Sequence, residues 1–529
     1  MQRNAAGEAM TMMGGVGEMA MTGDGLEPIL ALLAEAAGTR RRDARIVTTH
    51  VSVIVLAGET AFKLKRPVRL PYLDFSTAEK RLAACERELW LNRRTAPVLY
   101  RRVRRVTREP DGELALDGAG ALVEAVVEMG RFGDDDLFDR IATEGRLTPA
   151  LITTLAQRIA TFHDGAEIDS HRGGAEAMAS VLAINEKGLA LTDRLPADEV
   201  AGVNAACAVA LARHRALLDA RGREGRIRRC HGDLHLRNIC LLDGEPTLFD
   251  ALEFDEDLAT TDVLYDLAFV LMDLWHRGLA SLANRLMNRY LDATGDEGGL
   301  SLLPFFMAVR ASVRAHVLAV QAEADVAVIA EARAYLALAG QCLAPPVIRL
   351  VAVGGLSGSG KSTVAAALAD RVGPPPGARV LASDRIRKRR FGVAAETRLP
   401  PDAYRPDVSE AVYAEQASRA AAILQGGHGV VVEAVFDRAP DRERIAQAAQ
   451  TAQVPFQGLW LEAQPQTLMA RVEARRGDPS DATAAVVRAQ LAQAETVRDW
   501  TRVAAEADAE TVCRRACEIV DAAARPGAA

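Results

Sequence analysis

The sequence has no uninterrupted apolar run approaching the roughly 20 residues that a membrane-spanning helix requires. Its N-terminus also lacks the basic stretch and apolar segment of a secretory signal. The residues up to Gly25 are rich in Met, Gly and Ala and show neither helical nor strand periodicity. We therefore expect residues 1–25 to form a disordered leader and the protein to be neither exported nor membrane-bound.

The sequence also has no excess of positive charge. Its 71 acidic residues outnumber 64 basic ones, for a formal net charge of −7. This balance argues against a protein built mainly to coat nucleic acid, although local basic patches remain possible. The seven cysteines contain no Cys-x-x-Cys pair, which fits reduced thiols and predicts a cytoplasmic protein.

A chain of 529 residues, 49% of them hydrophobic, is too long for a single core and predicts a multidomain protein. Strand patterns at 46–56 and 61–65 come before mostly helical sequence, including helical segments at 77–94 and 151–163. That order favours an α+β unit of two lobes. The helical pattern stops at Pro345-Pro346, where alternating strands and helices begin. We predict one domain at 26–344 and an α/β domain with a parallel sheet at 345–529.

The strongest motif is GLSGSGKST, from Gly355 to Thr363, between an apolar strand at 348–353 and a helix at 363–371. Glycines allow backbone N–H groups to surround phosphate oxygens at a helix N-terminus. Lys361 is suited to the β- and γ-phosphates of ATP, and the Ser362 hydroxyl is suited to Mg²⁺. The predicted nucleotide-binding residues are Gly355, Ser357, Gly358, Ser359, Gly360, Lys361, Ser362 and Thr363.

Asp384 follows a short strand that ends in a Ser-Asp pair, and a carboxylate there faces the ligand crevice of a parallel sheet. The segment resembles P-loop kinases of the gluconate, shikimate and polynucleotide-kinase type. The resemblance implies that Asp384 orients or deprotonates the acceptor hydroxyl; capping the following helix is an alternative role. Arg475 and Arg476 resemble the lid arginines of these kinases, which neutralise transition-state charge. Glu433 departs from the aspartate that these kinases often carry at that point.

A second motif is CHGDLHLRN, from Cys230 to Asn238, followed by a hydrophobic strand that ends at Asp250. It resembles the catalytic core of aminoglycoside phosphotransferases, whose pattern is HGDxxxxN with a later Asp. The resemblance implies that Asp233 receives the acceptor proton and that Asn238 and Asp250 hold Mg²⁺ through hard oxygen ligands. It also implies structural roles for His231 and Asp266.

The same resemblance places a phosphate-binding lysine on the strand at 61–65. Lys63 and Lys65 share one strand face, so either suits the role. The partner glutamate is assigned to Glu86, with Glu88 as the alternative on the same helix. The segment at 56–60, just before the lysine strand, contains only one glycine, Gly58, so no glycine-rich loop of the protein-kinase kind is expected.

Together the two motif sets resemble a bacterial family of bifunctional proteins that joins an aminoglycoside-phosphotransferase-like domain to a P-loop kinase-like domain. This resemblance implies an ATP- and Mg²⁺-dependent phosphotransferase with two nucleotide sites and a small-molecule hydroxyl acceptor. Two alternatives stay open. One domain is a nucleotide-dependent regulatory module, or the C-terminal domain is a polynucleotide end-kinase that uses the basic run at 385–390.

Overall fold

The computed structural model describes residues 23–49, 51–70, 73–322, 325–474, 480–493 and 496–523. The chain divides into two compact units. The first extends to Arg277 and resumes at Phe305–Leu343, and the second comprises Gly278–Pro304 and the residues from Ala344 onward. The predicted domain at 26–344 is corrected on this point, because residues 278–304 pack with the C-terminal unit. The leader predicted for residues 1–25 lies almost entirely outside the described residues.

The first unit begins with a six-stranded antiparallel sheet whose strand order is β1-β2-β3-β8-β6-β7. The strands are β1 Arg45–Thr48, β2 Ser52–Ala57, β3 Thr60–Lys65, β6 Tyr100–Arg108, β7 Leu114–Leu116 and β8 Ala121–Gly130, with a separate pair β4 Arg69–Leu70 and β5 Leu73–Asp74. The segment predicted as one strand at 46–56 is a hairpin, in which Arg45 pairs with Leu56.

Two helices, α1 Gly23–Ala36 and α2 Ala78–Asn92, pack on this sheet. Apolar side chains of α1 form a core with β2, β3 and β8 that includes Leu33 and Val55. A second core places Cys85 of α2 against Val127 of β8. Thr77 caps α2 by accepting a hydrogen bond from the backbone N–H of Lys80, so the helix starts where the Thr-x-x-Lys sequence offers a cap.

The rest of the first unit is largely helical. Its helices are α3 Phe138–Thr143, α4 Pro149–Asp164, α5 Gly174–Leu189, α6 Ala197–Arg223, α7 Glu256–Ala259, α8 Val263–His276, α10 Leu303–Gln321 and α11 Val326–Leu343. Two small antiparallel pairs lie among them: β9 Ile227–Arg229 with β12 Thr260–Asp262, and β10 Ile239–Leu242 with β11 Glu245–Leu248. The prediction of a sheet-bearing lobe followed by a helical lobe is confirmed.

The second unit is built on a five-stranded parallel sheet of order β14-β15-β13-β16-β17. The strands are β13 Leu350–Gly354, β14 Arg379–Ala382, β15 Val430–Glu433, β16 Phe456–Glu462 and β17 Thr501–Ala504. The helices are α9 Ala280–Thr294, α12 Lys361–Ala369, α13 Ser383–Arg390, α14 Pro406–Gln425, α15 Ala439–Thr451, α16 Pro465–Ala474, α17 Ala484–Gln493 and α18 Ala509–Ala522. The predicted α/β fold with a parallel sheet is confirmed.

Two helical stretches, Glu297–Gln321 and Val326–Leu343, are apolar and long enough to meet a membrane-span criterion based on length and mean hydropathy. In the first, 89% of the most apolar 18-residue stretch is buried within the protein, and in the second 33%. A chain without a long uninterrupted apolar run can therefore still contain helices whose mean hydropathy meets this criterion. Such helices are weak evidence for a membrane segment, because core helices of soluble proteins meet the same criterion.

Candidate functional site

Asp266 on α8 fixes the loop that carries Asp233 through hydrogen bonds to the loop backbone. The Asp266 carboxylate accepts the backbone N–H groups of His231 at 3.2 Å and Gly232 at 2.8 Å. His163 Nε2 lies 3.1 Å from the same carboxylate. Burial alone raises the pKa of Asp266, but the His163 hydrogen bond and positive neighbours lower it to about 2. Asp266 is therefore an ionised anchor for the loop, in line with the structural role expected of it.

His231 is completely buried, and its Nε2 donates to the Phe249 carbonyl at 2.9 Å. Burial lowers the pKa of His231 to about 4, so the ring is neutral near pH 7. This geometry ties the loop to the segment that leads into Asp250, which is a supporting role rather than a catalytic one.

Asp233 is 5% exposed, and its Oδ2 accepts a hydrogen bond of 2.9 Å from Asn238 Nδ2. Its Oδ1 has no hydrogen-bond partner among the described residues. Burial, with a further contribution from the negative charge of Asp250, raises the pKa of Asp233 to about 7. A carboxylate with one uncommitted oxygen and this pKa is suited to accept a proton near neutral pH.

Both lysines of β3 join one buried ion-pair network. Lys63 Nζ lies 2.7 Å from Glu88 Oε1 and 2.5 Å from Asp250 Oδ1. Lys65 Nζ lies 2.6 Å from Glu88 Oε2 and also contacts Glu253. Burial raises the pKa of Glu88, but Lys63 and Lys65 together lower it to about 2, so this glutamate is ionised.

The assignment of Glu86 as the lysine partner is corrected to Glu88. On α2, Cys85, Glu88 and Asn92 are buried, whereas Glu86 is exposed. Residues two apart on an α-helix point in nearly opposite directions, while positions i, i+3 and i+7 share a face. Glu88 therefore shares the buried face of α2 with Cys85 and Asn92, and Glu86 does not.

Some of the residues predicted to hold nucleotide and metal in the first unit meet at one cavity, whereas Lys65 and Glu86 are not part of its wall. Lys63, Asn238 and Asp250 line a cavity of about 110 Å³, together with apolar side chains such as Ile54 and Phe249. Asp250 has a φ of +62°, a conformation that Asp tolerates better than most residues. The amide oxygen of Asn238 and the carboxylate of Asp250 are hard oxygen donors, which fits Mg²⁺.

In the second unit the loop after β13 wraps the start of α12. Gly360 immediately precedes α12 with a φ of +93°, and at Gly358, where φ is +92°, a Cβ would lie 2.4 Å from the Leu468 carbonyl oxygen. Both positions therefore need glycine. The continuous run Ser357 to Thr363 lines a cavity of about 630 Å³, and Gly355 is not part of its wall. Ser359 Oγ is buried without a hydrogen-bond partner among the described residues, as a phosphate-binding loop allows.

The Ser362 hydroxyl is hydrogen-bonded to Glu433, a contact that was not predicted from the sequence. Ser362 Oγ lies 2.9 Å and 3.0 Å from the two carboxylate oxygens of Glu433. Glu433 ends β15 beside Val353 of β13, so parallel pairing brings it to the P-loop. Hydroxyl and carboxylate oxygens in one cavity wall fit Mg²⁺. The position of Glu433 at the end of a strand was the sequence signal for this role, but a glutamate there departs from the aspartate of the related kinases.

Asp384 lies in the first turn of α13 and lines the same cavity as Lys361 and Ser362. It is not the capping residue of α13, because Ala382 occupies that position. Arg475 and Arg476 lie outside the described residues. Arg471 lines the cavity, and its guanidinium donates to the carbonyls of Ala505 at 2.8 Å and Ala507 at 3.1 Å.

Much of the basic run at 385–390 is occupied by contacts within the protein. Arg387 and Lys388 are buried. Arg387 donates to the Ala403 carbonyl at 2.7 Å, and Lys388 pairs with Asp481 at 2.6 Å. This use of the charges does not favour the polynucleotide alternative.

Known families match both units. A model of the phosphotransferase enzyme family matches residues 134–303, and a model of the AAA domain family matches residues 350–497. The chain is 33% identical over 470 residues to the uncharacterized proteins Rv2004c of Mycobacterium tuberculosis and Mb2027c of Mycobacterium bovis, covering 85% of this chain and 90% of each relative. The chain belongs to their family. This chain joins a domain of the phosphotransferase enzyme family to a C-terminal P-loop kinase-like domain.

Solved structures similar to each unit were also found. A gluconokinase from Sinorhizobium meliloti 1021 matches 34% of this chain and 94% of its own, at 22% identity and a TM-score of 0.25. A choline/ethanolamine kinase family protein from Mesorhizobium loti matches 57% of this chain and 88% of its own, at 13% identity and a TM-score of 0.34.

Proposed function

We propose that each unit binds ATP with Mg²⁺ and that at least one of them transfers the γ-phosphoryl group to a hydroxyl of a small molecule. The observation that carries the proposal is the repeated set of groups in each unit: a lysine, hard oxygen donors and a carboxylate suited to the acceptor. In the first unit these are Lys63, Asn238 with Asp250, and Asp233. In the second they are Lys361, Ser362 with Glu433, and Asp384.

In the transfer, the acceptor oxygen forms a bond to the γ-phosphorus while the bond from that phosphorus to the β–γ bridging oxygen breaks. ADP leaves with the bonding electron pair, and the acceptor hydroxyl gives up its proton. Asp233 is suited to receive that proton, since its Oδ1 has no hydrogen-bond partner among the described residues and its pKa is raised to about 7. Bound Mg²⁺ would supply charge neutralisation for the phosphate oxygens.

Titration calorimetry of the full chain with a non-hydrolysable ATP analogue and Mg²⁺ tests the nucleotide sites. We expect two sites in the unaltered protein and one in each of Lys63→Met and Lys361→Ala. Lys80→Ala is the matched control for the first unit, because Lys80 pairs with Asp74 at the exposed start of α2. Two sites in Lys361→Ala would refute the P-loop assignment.

Transfer itself is tested by measuring ADP formation with a panel of small hydroxyl compounds. At least one compound is expected to accelerate ADP formation, and the acceleration should disappear in Asp233→Asn or in Asp384→Asn. Two occupied sites without acceptor-dependent ADP formation in either unit would instead favour the regulatory alternative.

A further inference from the structure

Helix α9 closes the open edge of the parallel sheet in the second unit. β14 is an edge strand, so its outer backbone groups need partners from elsewhere. Asn288 Oδ1 accepts the Val380 N–H at 2.8 Å, and its Nδ2 donates to the Ala378 carbonyl at 3.1 Å. Asn284 Nδ2 donates to the same carbonyl at 3.0 Å. Two side chains of α9 thus take the place of a neighbouring strand.

A buried arginine strengthens this attachment. Arg379, the first residue of β14, is 2% exposed, and its guanidinium lies 2.8 Å from Asp292 and 2.8 Å from Glu297. It also donates to Asn288 Oδ1 at 2.9 Å. Arg419 of α14 pairs with the same Glu297 through its Nε at 3.0 Å. Residues 278–304 therefore satisfy a charge that would otherwise be buried without a partner.

Asp292 contacts the chain on both sides of Asp384. Its Oδ1 pairs with Arg379 of β14, five residues before Asp384. Its Oδ2 lies 3.3 Å from Nη1 of Arg385, the residue after Asp384 on α13. Arg289 contributes a third pairing at 2.8 Å. Burial raises the pKa of Asp292, but Arg379 and Arg289 hold it below its ordinary value, so the side chain is ionised.

We infer that Asp292 is a positioning residue for the C-terminal active site: it holds the junction between β14 and α13, where Ala382 is followed directly by Ser383, so that Asp384 faces the phosphate-binding loop. Helix α9 is then a working part of the C-terminal kinase, although the chain encodes it 56 residues or more before the P-loop strand, between α8 and α10. The inference rests on the proposed role of Asp384. A carboxylate that aligns an acceptor loses effect when it shifts by about 1 Å.

The test uses the full chain in an Asp233→Asn background, with water as the acceptor and phosphate release from Mg²⁺-ATP as the readout. C-terminal turnover is the part that Lys361→Ala abolishes. We expect Asp292→Asn and Arg385→Gln each to lower kcat by about 10- to 100-fold while the KM for ATP stays nearly constant. The double variant should be no slower than the slower single variant, because both changes release the same junction between β14 and α13.

Asp521→Asn is the matched control, since it removes the half-exposed ion pair between Arg371 and Asp521 in the same unit. Its kcat should equal that of the background. In Asp292→Asn, amide hydrogen exchange of residues 379–390 should accelerate, whereas exchange in α12 should not. Arg385 has a side chain that is 22% exposed, so Arg385→Gln keeps the test informative if Asp292→Asn folds poorly.

The outcomes separate this inference from the proposed function. A fall in kcat for Asp384→Asn together with unchanged kcat in both Asp292→Asn and Arg385→Gln would overturn the positioning role alone. Additive losses in the double variant, or a rise in the KM for ATP without a fall in kcat, would also overturn it. Unchanged C-terminal turnover in Asp384→Asn would overturn the proposed role of Asp384 and the inference with it.

Discussion

Lys63 Nζ lies 2.7 Å from Glu88 Oε1, and both side chains are almost fully buried. Substituting one residue of such a pair with an uncharged one costs stability, because the charge of the other residue stays buried without its partner. Glu88 also balances Lys65. This one carboxylate therefore sets the position of two cations beside the cavity that contains Asp250.

Glu88→Gln should reduce ATP turnover by the first unit about 10-fold or more and lower its melting temperature, because two buried lysines lose their shared anion. Glu86→Gln is the matched control on the same helix and should leave turnover and stability unchanged. Steady-state kinetics and thermal unfolding of both variants check this. Equal effects of the two substitutions would contradict the assignment of Glu88.

Transfer by the first unit should depend on pH through Asp233. The proton acceptor must be deprotonated, and the pKa of Asp233 is raised to about 7, so kcat/KM should rise as pH increases through about 7 and level off above it. A pH–rate profile recorded in a Lys361→Ala background isolates this unit. A profile that is flat between pH 5 and pH 9 would show that Asp233 is not the base.

Asp233 should also weaken the fold at high pH. Its folded pKa of about 7 exceeds the unfolded value of 3.8, so the folded state binds more protons between those values and stability falls as pH rises through this window. Asp233→Asn should therefore have a higher melting temperature than the unaltered protein at pH 8. The difference should shrink towards pH 4, where the aspartate is protonated in the folded state.

Glu433→Gln should weaken Mg²⁺-dependent nucleotide use by the second unit. Ser362 loses a charged acceptor at 2.9 Å, and loss of such a supporting carboxylate typically costs 10- to 100-fold in metal affinity. Titrating Mg²⁺ at fixed ATP in an Asp233→Asn background measures the effect. Glu462→Gln, at the exposed end of β16 in the same sheet, should leave the Mg²⁺ requirement unchanged.

Lys361→Ala should lower nucleotide turnover of the second unit by about 100-fold or more, since a preorganised cation at the phosphates is lost. Its Nζ lies 3.1 Å from the Leu356 carbonyl in the P-loop, so the loop loses one internal contact as well. Arg371→Ala removes a half-exposed cation from the same unit and should be silent. Retained turnover in Lys361→Ala would place the chemistry elsewhere.

The sequence by itself determined the two fold classes and the motif residues that line each cavity, because their signals are local. The P-loop motif lies between its strand and helix, and Asp233 and Asn238 are separated by only four residues. Periodicity also predicted that Lys63 and Lys65 share a face. These features depend on short-range backbone geometry, which a contiguous segment specifies.

Only the tertiary structure decided which distant groups meet. Glu88 rather than Glu86 reaches the lysines because the buried face of α2 packs against β8, and Glu433 reaches Ser362 because β15 pairs beside β13. Residues 278–304 were assigned to the first domain from the sequence, because the helical pattern stops only at Pro345-Pro346. They belong to the second unit because the edge of β14 and the buried Arg379 need polar partners, and Asn288, Asp292 and Glu297 supply them.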